Sequence, residues 1–129
     1  MAQVKERDTG PEKAVRSILH RMGYRFRLQR RDLPGKPDIV LSKYRIAIFV
    51  HGCFWHRHSG CKRASRPATN TAYWDRKFER NVSRDALNKT ALENDGWRVL
   101  VIWECELKAL ATLQDRLLDY FNTLRVNGV

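Results

Sequence analysis

The spacing of apolar residues in the first part of the chain is helical. Between residues 10 and 23 they recur every three or four positions, which predicts a helix that buries one face. Thr9 and Glu12 have the spacing of a capping box, and Gly23 is a typical C-terminal stop. The positions on the buried face are Ala14, Val15, Ile18, Leu19 and Met22.

Three short strand patterns follow this helix. Residues 24–28 alternate large apolar and basic side chains, whereas residues 39–41 and 46–50 are continuously apolar, as in buried strands. Asp38 lies at the start of the second pattern, and His51 directly follows the third. If these two strands pair as a hairpin, the side chains of Asp38 and His51 can converge on one site.

The second half of the chain returns to helical spacing. Residues 57–71 are polar and predict a loop, and a long helix then runs from residue 70 or 71 to 95, where Gly96 ends it. Residues 97–103 predict a fourth strand. A final helix is expected over residues 107–124, with its buried stripe at Leu107, Leu110, Leu113, Leu117, Leu118 and Phe121.

Composition sets the class of protein. A chain of 129 residues with 43% hydrophobic content suits a single domain over residues 1–129, with residues 1–8 as a candidate flexible arm. No apolar run reaches the roughly 18 residues of a membrane span, and the start lacks the apolar segment of a secretory signal, so we expect a cytoplasmic protein without a membrane partner. Three cysteines indicate thiols or metal ligands in a reducing compartment.

A net charge of +11, spread over most of the chain, indicates a polyanionic partner. A phosphate backbone is the obvious candidate. The alternatives are a generic basic protein or one attracted to anionic membranes, but no basic amphipathic helix with a wide apolar face is evident.

Eleven residues, 51–61, contain three of the four histidines and two of the three cysteines. Cys53, His58 and Cys61 from this segment, together with the distant Cys105, form a Cys3His set of the kind that binds structural zinc. The alternative is that Cys105 is an ordinary buried cysteine and that the loop thiols are incidental.

Other residues are candidates for hydrolytic chemistry. Asp38 can hold a hard cation such as Mg2+, and His51 or His56 can then transfer a proton near neutral pH. The alternative for Asp38 is a turn cap, and the histidines could instead be hydrogen-bond partners beside a metal loop.

Aromatic residues near the histidines suggest contact with DNA bases. Phe54 and Trp55 lie in a predicted loop, where both rings are hard to bury, and aromatic wedges can distort a duplex. Trp74 is a further wedge candidate, although packing of its helix on the sheet explains it equally well. Trp97 and Trp103 lie in a predicted strand and are assigned to the core.

Three motifs together resemble the very-short-patch repair (Vsr) mismatch endonucleases. They are the Pro-Gly-Lys-Pro-Asp of residues 34–38, the Ile-Phe-Val-His-Gly-Cys-Phe-Trp-His of residues 48–56 and the Trp-Arg-Val-Leu-Val-Ile-Trp-Glu-Cys of residues 97–105. The resemblance covers residues 7 to about 110. It implies a restriction-endonuclease-like α/β core, in which helices flank a mixed central sheet and a structural zinc site is present.

The resemblance also implies roles for individual residues. Asp38 corresponds to the Mg2+-binding aspartate, His56 to the proton-transfer histidine and His51 to a second active-site histidine. Glu12 corresponds to a glutamate that contacts the water shell of the metal, and the main-chain carbonyl of Val50 is expected at the metal. The implied zinc ligands are Cys53, His58, Cys61 and Cys105, and the implied DNA-binding residues are Phe54, Trp55, Trp74, Lys77 and Asn81.

The implied activity is Mg2+-dependent nicking of one DNA strand, 5′ to the thymine of a T:G mismatch that arises by deamination of 5-methylcytosine. We expect a monomer, with mismatch-repair proteins as candidate partners. Two alternatives remain open: a restriction or homing-type endonuclease that cuts fully paired DNA, and a zinc-stabilised DNA-binding module without catalysis.

Overall fold

The structure is a computed structural model that describes residues 10–28 and 30–126, without the side chains of residues 125 and 126. The expected arm of residues 1–8 and the capping residue Thr9 lie outside the described residues. The helices are α1 (Gly10–Arg21), α2 (Thr71–Asn94) and α3 (Leu110–Val126), and the strands are β1 (Arg27–Leu28), β2 (Ile39–Leu41), β3 (Ile46–His51) and β4 (Arg98–Trp103). Short 3-10 turns span Ser42–Tyr44 and Glu104–Lys108.

The described strands form one four-stranded mixed sheet in the order β1-β2-β3-β4. The first three strands are antiparallel neighbours, whereas β4 pairs with β3 in parallel after the crossover through α2. His51 is paired with Trp103 at the ends of β3 and β4. Because parallel strands end at the same edge of a sheet, the segments that follow His51 and Trp103 lie side by side.

Helices cover both faces of this sheet, as expected for a mixed α/β core. Alternation along β2 and β3 sends Ile39 and Ile48 into a core with α1 and α3, and Val40 and Ala47 into a second core with α2. In the part of the chain that the structure describes, no helix has the length and apolarity needed to cross a membrane.

The first predicted strand is shorter than its alternating pattern suggested. Only Arg27 and Leu28 pair with β2, and both are exposed. Tyr24 is instead buried beneath α3, where its ring stacks on Phe121 at 4.2 Å. Tertiary packing of the tyrosine therefore takes this segment away from the sheet edge.

The final helix begins later than predicted because a tight turn intervenes. In the turn of residues 104–108, the Glu106 carboxylate accepts the Trp103 N–H at 3.0 Å and forms an ion pair with Arg116 at 2.8 Å. The assignment of two leucines to the buried stripe was wrong, since Leu110 is 46% and Leu118 43% exposed. The buried face of α3 consists of Leu113, Leu117, Phe121 and Leu124.

Candidate active site and metal centre

Two carboxyl groups meet where β2 begins. The Asp38 N–H donates to Ile48 O at 3.0 Å, and Asp38 Oδ2 accepts the Val50 N–H at 2.7 Å, so the aspartate is fixed against β3. Glu12 approaches from α1, is almost fully buried, and forms an ion pair with Arg16 at 3.5 Å. The pKa of Asp38 is raised to about 7, mainly by burial and also by the negative charge of Glu12. The Val50 N–H and Arg16 lower this pKa but do not offset the increase.

This pair fits a hard divalent cation. Buried carboxylates that share a site repel each other when ionised, and a cation with oxygen ligands relieves both the burial and the repulsion. The main-chain N–H of Val50 contacts Asp38. The structure therefore brings together Glu12, Asp38 and the main chain of Val50, and their role as a metal site stays a prediction.

A second group joins both candidate histidines to an aspartate of α2. The rings of His51 and His56 are parallel, with centroids 3.8 Å apart and planes 4° apart. His56 Nδ1 lies 2.6 Å from Asp85 Oδ2. The pKa of His51 is lowered to about 4, mainly by burial and also by the neighbouring His56, whereas Asp85 acts in the opposite direction. His51 is therefore neutral at pH 7.

His51, His56 and Asp85 lie close enough to hold a metal ion, but their geometry favours proton transfer. The lone pair of an imidazole nitrogen lies in the ring plane, so two parallel stacked rings cannot both point at one ion. The distance from His56 to Asp85 is that of a short hydrogen bond, which leaves no space for an ion between them. The carboxylate holds the Nδ1–H tautomer of His56, and Nε2 is left to exchange a proton.

The four predicted cysteine and histidine ligands come together at the other side of this loop. His58 Nδ1 lies 3.7 Å from Cys53 Sγ and 3.4 Å from Cys105 Sγ, and Cys61 completes the group. A tetrahedral Cys3His zinc site has sulfur-nitrogen separations of roughly 3.6 Å, from its bond lengths. The cluster could therefore hold a metal ion of this kind.

The thiols of this cluster differ in their electrostatic surroundings. Burial raises the pKa of the Cys53 thiol to about 12, whereas the backbone N–H of Arg63 lowers the pKa of the more exposed Cys61. A coordinating metal removes the proton from a thiol even when burial opposes ionisation. The Cys53 N–H donates to Glu104 Oε1 at 3.1 Å, which ties the loop to the segment after β4.

Trp103 was wrongly assigned to the core. Its ring is only partly buried and stacks on the His58 imidazole at 4.2 Å, with the planes 10° apart. Strand pairing with His51 places Trp103 at the sheet edge, beside the metal-binding loop. Trp97, by contrast, is buried as expected.

The predicted wedge residues form an aromatic cluster, which consists of Phe54, Trp55, Tyr73 and Trp74. Trp74 lies 5.8 Å from both Phe54 and Trp55, measured between ring centroids. Tyr73 is half exposed and meets Trp74 edge to face at 5.4 Å. The buried ring of Phe78 supports the cluster from below, 5.2 Å from Phe54. Trp74 therefore both packs its helix and contributes to the partly exposed surface of the cluster.

Lys77 and Asn81 of α2 lie beside the aromatic cluster. Lys77 Nζ is 5.2 Å from the Trp55 ring centroid. Asn81 Nδ2 donates to the Trp55 carbonyl at 3.1 Å, and its Oδ1 accepts a hydrogen bond from Arg84. The Asn81 amide thus holds the loop in place, and its contact with DNA stays a prediction.

Sequence reasoning missed Asp85 and Tyr73. Asp85 is 29 residues from its partner His56, so local spacing carries no signal for the pair. The helix register could have found it, because Asn81 and Asp85 are four residues apart and share one face of α2. Tyr73 precedes Trp74 directly and shares the same helix start, which the search for wedge residues overlooked.

Comparisons with known proteins agree with this site. Residues 1–63 match the family model described as DNA mismatch endonuclease Vsr. The chain is 54% identical to the Type II nicking enzyme V.XorIIP of Xanthomonas oryzae pv. oryzae, over 91% of this chain and 85% of that protein. It is 45% identical to the DNA mismatch endonuclease Vsr of Escherichia coli, over 92% of this chain and 75% of that protein.

A solved structure is similar in fold. The catalytic domain of the homing endonuclease I-Bth0305I matches with a TM-score of 0.63 at 24% identity, over 91% of this chain and 98% of that domain. This likeness confirms the expected restriction-endonuclease-like core. The match to the family model and the two relatives show that the chain belongs to the Vsr family of DNA mismatch endonucleases.

Proposed function

We propose that this chain nicks one strand of duplex DNA, 5′ to the thymine of a T:G mismatch that arises by deamination of 5-methylcytosine. One observation carries the proposal: the histidine suited to proton transfer, His56, is the chain neighbour of Trp55, and α2 holds both residues through hydrogen bonds. A group that can act on a phosphodiester is thereby kept beside rings that can enter a base stack.

The metal-binding role is assigned to the buried carboxyl pair. Asp38 would hold Mg2+, with the main-chain carbonyl of Val50 as a further ligand, and Glu12 would contact the water shell of the ion. Bound Mg2+ polarises a phosphate and lowers the pKa of a coordinated water. Arg16 offsets part of the negative charge of the pair.

His56 transfers the proton. Its hydrogen bond to Asp85 orients the ring, and Nε2 is left to take the proton. His51 is neutral because it is buried beside His56. A neutral imidazole can donate a hydrogen bond to the phosphate without adding a second positive charge beside His56. Hydrolysis of the bond on the 3′-oxygen side leaves a 5′ phosphate.

Zinc would be held by the Cys3His cluster. Its ligands would be Cys53, His58, Cys61 and Cys105, which join residues after β3 to residues after β4. The loop between these ligands contains His56 and Trp55, so a bound ion would stabilise the part of the fold that carries the catalytic and wedge residues.

The aromatic cluster recognises weakened pairing. Phe54, Trp55 and Trp74 enter the stack beside the mismatch, where poorer pairing and stacking lower the cost of insertion. Lys77 and Asn81 face the same DNA from α2. We propose that the chain acts as a monomer, with mismatch-repair proteins as candidate partners.

A nicking assay tests this function. Labelled duplexes with one T:G mismatch in varied flanking sequences are compared with paired duplexes in Mg2+, for the wild-type protein and the Asp38→Ala and His56→Ala variants. Cleavage of the thymine strand alone, lost in both variants, is expected. Binding without cleavage of any duplex in the library would overturn the proposal in favour of a DNA-binding module.

A second candidate is cleavage of a fully paired site. The likeness to the catalytic domain of a homing endonuclease favours it, because that fold is compatible with such a substrate. Equal cleavage of paired and mismatched duplexes would support this alternative and contradict mismatch specificity.

A further inference from the structure

One face of α2 carries a groove lined by arginines. The groove has a volume of about 610 Å³ and lies open to solvent along the helix. Arg76, Arg80 and Arg84 line it at successive helical turns, and Glu79 is its one acidic lining residue among the described residues. Ser83, Leu87 and Asn88 complete the lining. Three cations therefore follow one another along about 12 Å of helix.

These guanidinium groups lack acidic partners. In the described part of the chain, no carboxylate lies within ion-pair distance of Arg76, Arg80 or Arg84, whereas exposed arginines elsewhere, such as Arg66 and Arg116, have one. Aligned cations repel one another when no anion is present. A helix face that contacts only water gains no stability from such a row of cations, whereas a bound polyanion offsets the repulsion between them.

The groove is continuous with the candidate active site. Arg84 donates to Asn81, which holds the carbonyl of Trp55, and the next residue of the chain is Asp85, the partner of His56. Lys77 lies between the groove and the aromatic cluster. A DNA strand that ran from the aromatic cluster along α2 would pass this groove.

We propose that this groove binds the phosphate backbone of one DNA strand beside the mismatch. Each strand of duplex DNA carries one phosphate per roughly 3.4 Å, so about 12 Å of groove matches three to four nucleotides. The exposed side chain of Leu87 lies on the same surface and offers apolar contact to a deoxyribose. The proposal rests on the proposed function for its DNA substrate.

Salt-dependent binding tests the groove. Affinity for a fluorescent T:G duplex and for its paired counterpart is measured by anisotropy between about 50 and 200 mM salt, without divalent cations. The test variant is Arg76→Gln with Arg80→Gln, and the charge-conserving control is Arg76→Lys with Arg80→Lys. The matched control, Lys43→Gln with Lys89→Gln, removes two exposed charges elsewhere.

The control positions lie away from the groove. Lys89 is nine residues after Arg80, which places it about 180° around the helix axis. Lys43 lies in the turn before β3, at the opposite end of that strand from His51.

Loss of two phosphate contacts is expected to reduce the salt slope by about 1.8. The ratio of wild-type to variant affinity then falls about tenfold over this salt range, equally on both duplexes, because phosphate contacts carry no sequence information. The lysine variant should retain most of the slope, and the matched control should differ little from the wild type.

An unchanged slope in the Arg76→Gln/Arg80→Gln variant, or a reduction no larger than in the matched control, would overturn the groove. The same holds if the wild-type protein binds no duplex. If the wild type binds with the expected slope and the Arg76→Gln/Arg80→Gln variant loses it, but the wild type nicks no duplex, the phosphate-binding role of the groove is supported and the proposed nuclease function is contradicted.

Discussion

Replacing Asp38 by asparagine is expected to stabilise the metal-free protein at alkaline pH and to abolish nicking. The Asp38 carboxyl is largely buried beside Glu12, so its ionised form is unfavourable without a cation. Asparagine retains a carbonyl oxygen that can accept the Val50 N–H, which Asp38 now accepts at 2.7 Å. It carries no charge, and it therefore removes the cost of ionisation together with the metal ligand.

The direction and size of this stability change follow from the pKa of Asp38. Folding raises the pKa of Asp38 from 3.8 to about 7, so the folded state keeps this proton over a pH range in which the unfolded chain has lost it. The free energy of unfolding of the wild-type protein therefore falls as pH rises between these values. Between about pH 5 and pH 8, the stability of Asp38→Asn relative to the wild type should increase by about 2.5 kcal/mol.

Urea unfolding followed by tryptophan fluorescence measures this difference at several pH values. Magnesium is removed by dialysis and not with a chelator, so that metal at the cysteine cluster is retained. Asp115→Asn, at an exposed carboxylate of α3, is the matched control and should show no comparable pH trend. Adding Mg2+ should stabilise the wild type and leave Asp38→Asn unchanged, because only the wild type retains the ligand.

A stability difference that stays constant with pH would refute the reasoning, since the cost of ionising Asp38 would then be absent. Equal stabilisation of both proteins by Mg2+ would show that the ion binds elsewhere. Nicking by Asp38→Asn at the wild-type rate would remove the aspartate from the metal site altogether.

Four further substitutions test other parts of the site. His56→Ala should slow single-turnover nicking by about 10²- to 10⁴-fold with little loss of duplex affinity, and Asp85→Asn should slow it by a smaller factor; wild-type rates in both would contradict their proton-transfer role. Cys105→Ser should lose the metal of the cysteine cluster and lower the melting temperature, whereas unchanged metal content by elemental analysis would exclude this ligand. Asn81→Ala removes one hydrogen bond to the loop, of about 0.5–1.5 kcal/mol, and should weaken binding of a T:G duplex by roughly two- to tenfold; unchanged affinity would show that this bond does not position Trp55.

The strands and helices that build the sheet were predictable because burial imposes a period on them. β2, and β3 as far as Val50, are apolar since both faces of these strands are covered, and α2 ends two residues before Gly96, close to the predicted stop. The hairpin of β2 and β3 was also correctly predicted, and it brings Asp38 against the main chain of β3.

Errors occurred where a single long-range contact overrides local preference. The turn before α3 contains Glu106, which forms an ion pair with Arg116 that sequence spacing does not reveal. Tyr24 is not part of the first strand because its ring packs on Phe121 of α3. Neither contact produces a local period, and therefore neither pattern could indicate it.

Some residues of the candidate site could likewise be predicted from the sequence, and others could not. The Cys3His cluster could be assembled from the sequence because metal-binding residue types are few and conspicuous, and the structure brings all four together. Asp85 could not, because an aspartate on a polar helix is ordinary until the fold places His56 against it.

The loop that follows β3 has little core of its own, and its position is set from two sides. On one side the Cys53 thiol belongs to the Cys3His cluster, and the Cys53 N–H donates to Glu104. On the other side α2 holds Trp55 through Asn81, and it holds His56 from one turn further along the same helix. Because these two attachments lie on one rigid helix, the wedge and the proton-transfer group cannot shift independently. Loss of metal from the cysteine cluster should therefore impair mismatch binding and nicking together, even though that metal touches neither base nor phosphate in the proposed mechanism.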